Sequence, residues 1–151
     1  MGKFKKYYND IDIGDEFITD SRQVTREEII KFAQEFDPQP MHLTDDSAPE
    51  YFDGIIASGY HTIALATRLV VDCDIFAGTP LLGSGIDKVR WLAPLKPDDE
   101  IWAKATIKNK YLSPTRHNLG FITIKVKTYS KPEQLILIKE CKVAVPLQPP
   151  S

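Results

Sequence analysis

An α+β domain, with an antiparallel sheet and one deeply apolar helix, is the fold this sequence predicts, and three observations predict it. Helix signals are confined to residues 25–73 and strand signals to residues 84–146, a segregation that suits helix packed on antiparallel sheet. The 151 residues are 42% hydrophobic and 26% charged, enough for one core and too little for two full domains. No repeat, low-complexity run or linker divides the chain, so residues 1–151 read as a single domain, with 146–151 expected to fray beyond Pro146.

Each element has its own signal. Thr25-Arg26-Glu27-Glu28 is a capping box that starts a helix, along which Ile29, Phe32, Ala33 and Phe36 share one face. Pro38 pushes the preceding residue out of the helical region, leaving Asp37 at the helix exit. Ser47-Ala48-Pro49-Glu50 repeats the capping pattern for a short turn that Gly54 ends. Ser58-Gly59 opens the second helix, whose Ile63, Ala64, Leu65, Ala66, Leu69, Val70 and Val71 leave so little polar surface that it is expected to be buried by the sheet. Ile86 to Leu92 reads as a strand ended by Pro94 and Pro97. Ile101, Ala103, Ala105 and Ile107 alternate with polar neighbours, as do Ile122, Ile124 and Val126. The last strand, Leu135 to Val145, places Leu135, Leu137, Cys141, Val143 and Val145 in phase, which makes Cys141 a small core residue.

Composition removes several function classes. Nineteen Lys and Arg against twenty-one Asp and Glu give a net charge of −2, with no overall field to attract nucleic acid or an anionic membrane. Cys73 and Cys141 have no CxxC or His-rich companion, so neither a disulfide framework nor a metal site is indicated. The basic start Met1–Lys6 runs into Tyr7-Tyr8-Asn9-Asp10 and is not read as a signal peptide, and Gly2 lacks the Ser or Thr at position 6 that myristoylation needs. The apolar stretch Ile63 to Val71 is too short to span a bilayer. A cytoplasmic protein is the simplest expectation.

Chemistry concentrates in Asp37-Pro38-Gln39-Pro40-Met41-His42, where two prolines stiffen a segment bearing a carboxylate and an imidazole. Held about one water apart, these groups can deprotonate that water and return a proton. Asp and Pro are also common turn formers, so the segment alone is equally a turn. Ser58 and Gly59 admit two readings as well, an N-cap with a tight turn or a helix start whose free N–H groups stabilise an oxyanion.

Several motifs occur in order along nearly the whole chain. Phe32-Ala33 precede Asp37, Pro40 and His42; Ile56-Ala57-Ser58-Gly59 leads into the apolar helix; Gly85-Ile86-Asp87-Lys88-Val89-Arg90-Trp91-Leu92-Ala93-Pro94 is followed by Pro97-Asp98-Asp99. Together they resemble the MaoC-like dehydratases and (R)-specific enoyl-CoA hydratases of the hotdog fold, whose pattern is a Phe-Ala helix ending in Asp-x-Asn-Pro-x-His, then an Ala-His-Gly type turn into a buried helix. The resemblance implies a hotdog domain, an antiparallel sheet wrapped around that helix, and reversible hydration of a 2-enoyl-CoA to the (R)-3-hydroxyacyl-CoA. It implies Asp37 and His42 as the catalytic pair and Gly59 N–H as a donor to the thioester carbonyl, with Gln39 and Ser58 in support. It implies coenzyme A as part of the substrate, no metal or other cofactor, and a homodimer joined edge to edge. Gln39 stands in place of the family's Asn, Phe36 adds bulk where Gly is common, and Ser58 replaces a frequent His.

His61 and Thr62, one turn into the apolar helix, are read as packing residues that can also reach ligand, and His117 as a surface residue in a hairpin. Arg68, Lys88, Arg90 and Arg116 could meet coenzyme A phosphates, but their default reading is a solvated face and none is assigned. The alternatives are a hotdog thioesterase, which commonly places an acidic residue in the central helix where positions 59–71 have none, and a non-catalytic acyl-thioester-binding protein.

Overall fold

The computed structural model describes residues 7–76 and 78–150. The readings of Met1–Lys6 as neither signal nor acylation segment lie outside the described residues.

The elements run β1 (Glu16–Ile18), β2 (Arg22–Gln23), α1 (Arg26–Phe36), α2 (Gly59–Asp72), β3 (Leu82–Trp91), β4 (Glu100–Leu112), β5 (Leu119–Ser130) and β6 (Gln134–Pro146), with short 3-10 turns between α1 and α2. All pairings are antiparallel, in the order β1-β4-β5-β6-β3, with β2 also on β4. This is the single α+β sheet-and-helix domain the sequence predicts. Strands β1 and β2, at three and two residues, are too short for alternation to reveal.

The core lies between α2 and one sheet face. Leu65, Ala66 and Leu69 of α2 belong to a buried cluster with Ile101, Ala103, Ala105 and Ile107 of β4 and Ile122, Ile124 and Val126 of β5. The alanines let helix and sheet backbones approach closely. Helix α1 begins at the predicted box: Thr25 Oγ1 accepts from Glu28 N–H while the Glu28 carboxylate accepts from Thr25 N–H. Its Ile29 and Ala33 are buried, but Phe36 is 69% exposed and tilts onto Phe32 at 5.1 Å, off the core face expected of it.

Three further expectations change. Helix α2 is buried on one face only, since Tyr60, Ala64 and Val71 are exposed. The reason is β3, which starts four residues earlier than its apolar run, forms the edge of the sheet and leaves Leu82, Ile86 and Trp91 uncovered. A groove of about 490 Å³ remains between α2 and β3, with Val71, Ile86, Ile124 and Val143 among its walls. In β6, Thr128 faces Leu137 while Tyr129 faces Leu135, so Ile136 is an inserted bulge residue and Leu135 falls out of phase with Leu137. Beyond that bulge Lys139 takes an inward position: it is 2% exposed, and its Nζ donates to Thr67 Oγ1 on α2 at 2.7 Å. Finally, Ser47 ends one 3-10 turn (Asp45–Ser47), and Pro49 precedes another (Glu50–Phe52) without a side-chain cap; Asp53 and Gly54, both at positive φ, turn the chain back.

Past β6 the Leu147 N–H donates to Asn118 O and the Gln148 N–H to Asn9 Oδ1, so contacts continue where the prolines suggest a frayed end. Among the described residues, no helix is long and apolar enough to cross a membrane.

Candidate active site

The end of α1 brings a carboxylate and an imidazole together. Asp37 leaves the helix with φ −155° while its N–H still donates to Ala33 O, and Pro38 prevents another turn. Gln39 N–H donates to Asp37 O, and His42 N–H to Gln39 O, which folds Pro40–His42 into a 3-10 turn. The result is a His42 Nε2 to Asp37 Oδ2 distance of 3.4 Å. His42 is 3% exposed, and its Nδ1 lies 2.8 Å from Ile56 O. A carbonyl only accepts, so Nδ1 carries a proton and donates to Ile56 O, which turns Nε2 toward Asp37.

The carboxylate is fixed at both oxygens. Ser58 Oγ donates to Oδ2 at 2.7 Å, and Gln39 Nε2 donates to Oδ1 at 2.8 Å, the longer Gln side chain bridging the gap without difficulty. The Ser58 hydrogen bond above all, then that of Gln39 and the nearby imidazole, hold the Asp37 carboxyl below the usual carboxylate range. Asp37 is thus maintained as an anion, suited to orienting a partner and to stabilising a cation.

Ser58 also caps α2. Its Oγ accepts from Tyr60 N–H at 3.3 Å, which leaves the Gly59 N–H, in the first turn and without an intrahelical acceptor, available to a ligand. Glycine is required at 59 for a reason the sequence does not disclose. A Cβ there would lie 2.7 Å from Cε2 and Nε1 of Trp91, at the end of β3, so the space above the glycine is filled by an indole instead of being left for an acyl group. Trp91 Nε1 donates to Gly59 O at 3.0 Å, and the ring meets Tyr60 edge-on at 6.2 Å between centroids.

These groups open onto a cavity of about 480 Å³, where Asp37, His42 and Gly59 face apolar walls from Met41, Phe52, Trp91 and Leu95. Residues 43–58 pass over it and are tied down at Asp45: Arg26 Nη1 and Nη2 donate to its two carboxylate oxygens, and Ile55 N–H donates to Oδ1. Asp45 has no sequence signal beyond a turn-like setting.

The other sequence-derived candidates divide. Thr62 lines the cavity and its hydroxyl reaches Ser58 O at 3.4 Å. His61 points the other way, stacked on Phe32 at 4.5 Å, and burial pushes its imidazole below the ordinary histidine value. Phe36 does not line the cavity, contrary to the bulk expected beside the site. Arg68 pairs with Asp72, Lys88 lies 3.7 Å from Glu140, and Arg90 donates to Val89 O. None of these three lines the cavity. Arg116 and His117 sit in the exposed turn between β4 and β5.

With this geometry in hand, similarity to known proteins is informative. Residues 9–127 match the family model described as MaoC like domain. The chain is 33% identical over 134 residues to the uncharacterized protein YdeM of Bacillus subtilis, covering 88% of this chain and 94% of that one. It is 31% identical over 116 residues to protein MaoC of Klebsiella aerogenes, of which it spans 34% against 75% of its own length. Among solved structures, the MaoC-like dehydratase from Rhodospirillum rubrum is 30% identical and superposes with a TM-score of 0.85 over 95% of this chain and 99% of the other. The (R)-hydratase from A. caviae, 20% identical, shares the fold with a TM-score of 0.71 over 90% and 98% of the two chains. The domain-length family match and the full-length likeness to YdeM lead to one conclusion: this chain belongs to the MaoC-like domain family.

Proposed function

We propose that this protein catalyses reversible addition of water to a 2-enoyl thioester of coenzyme A, giving the (R)-3-hydroxyacyl thioester. The observation that carries the reading is the imidazole and carboxylate facing each other across 3.4 Å, beside an unspent helix-start N–H in one apolar cavity. Water bridging the two donates one hydrogen to Asp37 Oδ2 and the other to His42 Nε2. Because Asp37 is held as an anion, His42 is the better base: Nε2 removes the water proton as the oxygen bonds to C3. The C2–C3 π electrons move into an enolate whose oxygen accepts from Gly59 N–H, and Asp37 stabilises the imidazolium. The same Nε2–H then protonates C2, so the hydroxyl and the hydrogen of one water add from one side.

The likeness to proteins named dehydratase and (R)-hydratase supports this class of reaction. A thioesterase reading is less favoured, since residues 59–71 of α2 contain no carboxylate. The uncovered edge β3, with Leu82, Ile86 and the neighbouring groove, supports a homodimer joined along that edge.

The test is loss of enoyl-thioester absorbance with the parent, Asp37→Asn, His42→Ala and the double variant, each checked for folding by circular dichroism. Either single change is expected to lower turnover by about 10²- to 10⁴-fold. The double variant should be little worse than the poorer single, because the groups serve one step. Unchanged turnover in both singles, or an inactive parent across a series of enoyl thioesters, would overturn the proposal.

A further inference from the structure

We infer that Trp91 restricts this site to straight-chain, uncharged acyl groups, by closing the space beside the thioester carbonyl against a substituent on C2. The inference rests on the hydratase reading above and names the substrate class within it. Gly59 supplies both the N–H that faces the carbonyl oxygen and the missing side chain that Trp91 replaces. An indole placed 2.7 Å from the position of a glycine Cβ is fixed next to whatever that residue's N–H binds. Gly59 and Trp91 line the same cavity, so a carbonyl oxygen about 2.9 Å from the Gly59 nitrogen brings its acyl group into a space one wall of which is this indole. Two contacts orient the half-exposed ring: its Nε1 donates to Gly59 O at 3.0 Å, and it meets Tyr60 edge-on at 6.2 Å between centroids. A hydrogen on C2 fits such a wall, whereas a methyl requires the indole to leave its hydrogen bond.

The charge pattern of the same cavity limits the far end of the acyl group. Among the described lining residues there is no Lys or Arg, and the one carboxylate is that of Asp37. A second substrate carboxylate would be desolvated beside an anion with no counter-charge. Met41, Phe52 and Leu95 instead offer apolar contact. Trp91 on this account is a specificity-determining residue; the proton transfers belong to His42 and Asp37.

The experiment compares kcat/KM for trans-2-butenoyl-CoA, its 2-methyl derivative and a 2-enoyl-CoA ending in a carboxylate. The parent, Trp91→Ala and Trp91→Phe proteins are each tested. The parent should favour the straight substrate over both others by tenfold or more, the usual effect of one misplaced methyl group in an apolar pocket. Trp91→Ala should raise the 2-methyl to straight ratio by about tenfold or more, while Trp91→Phe, which keeps a ring but loses the N–H, should retain most of the exclusion and lose kcat on the straight substrate. A purely structural Trp91 would lower all substrates alike and leave the ratio unmoved, which overturns the inference. So does a parent that prefers the branched or dicarboxylic substrate.

A binding measurement separates this from the hydratase reading. The chain has two tryptophans, and Trp102 stacks on Tyr129 at 4.5 Å away from the cavity, so Trp102→Phe leaves Trp91 as the sole indole. Its fluorescence should respond to butanoyl-CoA at concentrations at least tenfold lower than to 2-methylpropanoyl-CoA. If the parent turns over no enoyl thioester, the hydratase reading fails and this binding preference alone decides the role of Trp91. Equal binding of the two, or binding of neither, overturns it.

Discussion

Removing one oxygen atom, in Ser58→Ala, should disturb the site and the fold together. Ser58 is fully buried, and its Oγ donates to a charged carboxylate at 2.7 Å while accepting from Tyr60 N–H at 3.3 Å. A short hydrogen bond to a charged group is worth about 1.5–3 kcal/mol, and loss of an N-cap costs about 1 kcal/mol, at the low end here because the cap bond is long. The expected loss is about 2–4 kcal/mol. For a chain of this length each kcal/mol lowers Tm by about 2–4 °C, so the melt should fall by roughly 5–15 °C. The pH dependence identifies the bond responsible. Asp37 has its carboxyl depressed in the folded state, so its contribution is full above the unfolded Asp value of about 3.9 and disappears as pH falls through the lower folded value. Alanine at 58 leaves Gln39 as the main remaining donor, and the carboxyl moves back up toward its ordinary value. Thermal melts followed by circular dichroism from pH 8 to 3 should therefore show a gap between parent and variant that is largest above about pH 5 and narrows in acid. Equal melts at pH 7, or a gap of constant size at every pH, would refute the assignment of Ser58 to Asp37.

Other outcomes follow from the same contacts. Gly59→Val should lower turnover because its side chain meets the Trp91 indole; in Gly59→Ala/Trp91→Ala the two stability losses should sum to less than their separate values, and strict additivity in melts would count against that packing. His61→Phe keeps the stack on Phe32 and removes a buried Nδ1 without a partner. Burial lowers the folded-state His61 pKa, so the parent is fully stabilised above about pH 6.5 and loses stability as pH falls through that range; the Phe variant should show a shallower loss between pH 7 and 5, and matching slopes would dismiss the effect. Light scattering at micromolar concentration should report a dimer, which Ile86→Asp on the uncovered edge should weaken; a fully active monomeric parent would remove the edge-to-edge reading.

The parts of this molecule legible from sequence are those that repeat or cap. The Thr25 box, the exit of α1 at Pro38, the cap at Ser58 and the alternation of β4 and β5 each follow from a local rule, and so does the proximity of Asp37 to His42 through two prolines. What escaped depends on distant partners. Trp91 meets Gly59 across 32 positions, and nothing near either residue announces the other. Lys139 shares the phase of Leu137, Cys141, Val143 and Val145, and a lysine is accommodated on that core face because Thr67 of α2, 72 positions away, accepts from its Nζ. The exposure of Val71 reflects a sheet edge, which helical periodicity does not encode.

The fastening at Asp45 bears on what holds His42 in place. Arg26 and Asp45 are both substantially solvated, with side chains 41% and 54% exposed, so water screens their ion pair and it holds the segment only weakly. The 43–58 segment is held instead where it re-enters the core, through Ala57, whose N–H donates to Leu95 O, and through buried Ile55. Ile56 is the next residue, and its carbonyl is the acceptor that assigns the proton to Nδ1 of His42. The imidazole thus takes its tautomer and orientation from a carbonyl flanked on both sides by core residues. The base is therefore set by the core itself, and the exposed pair at Asp45 can be lost without releasing it.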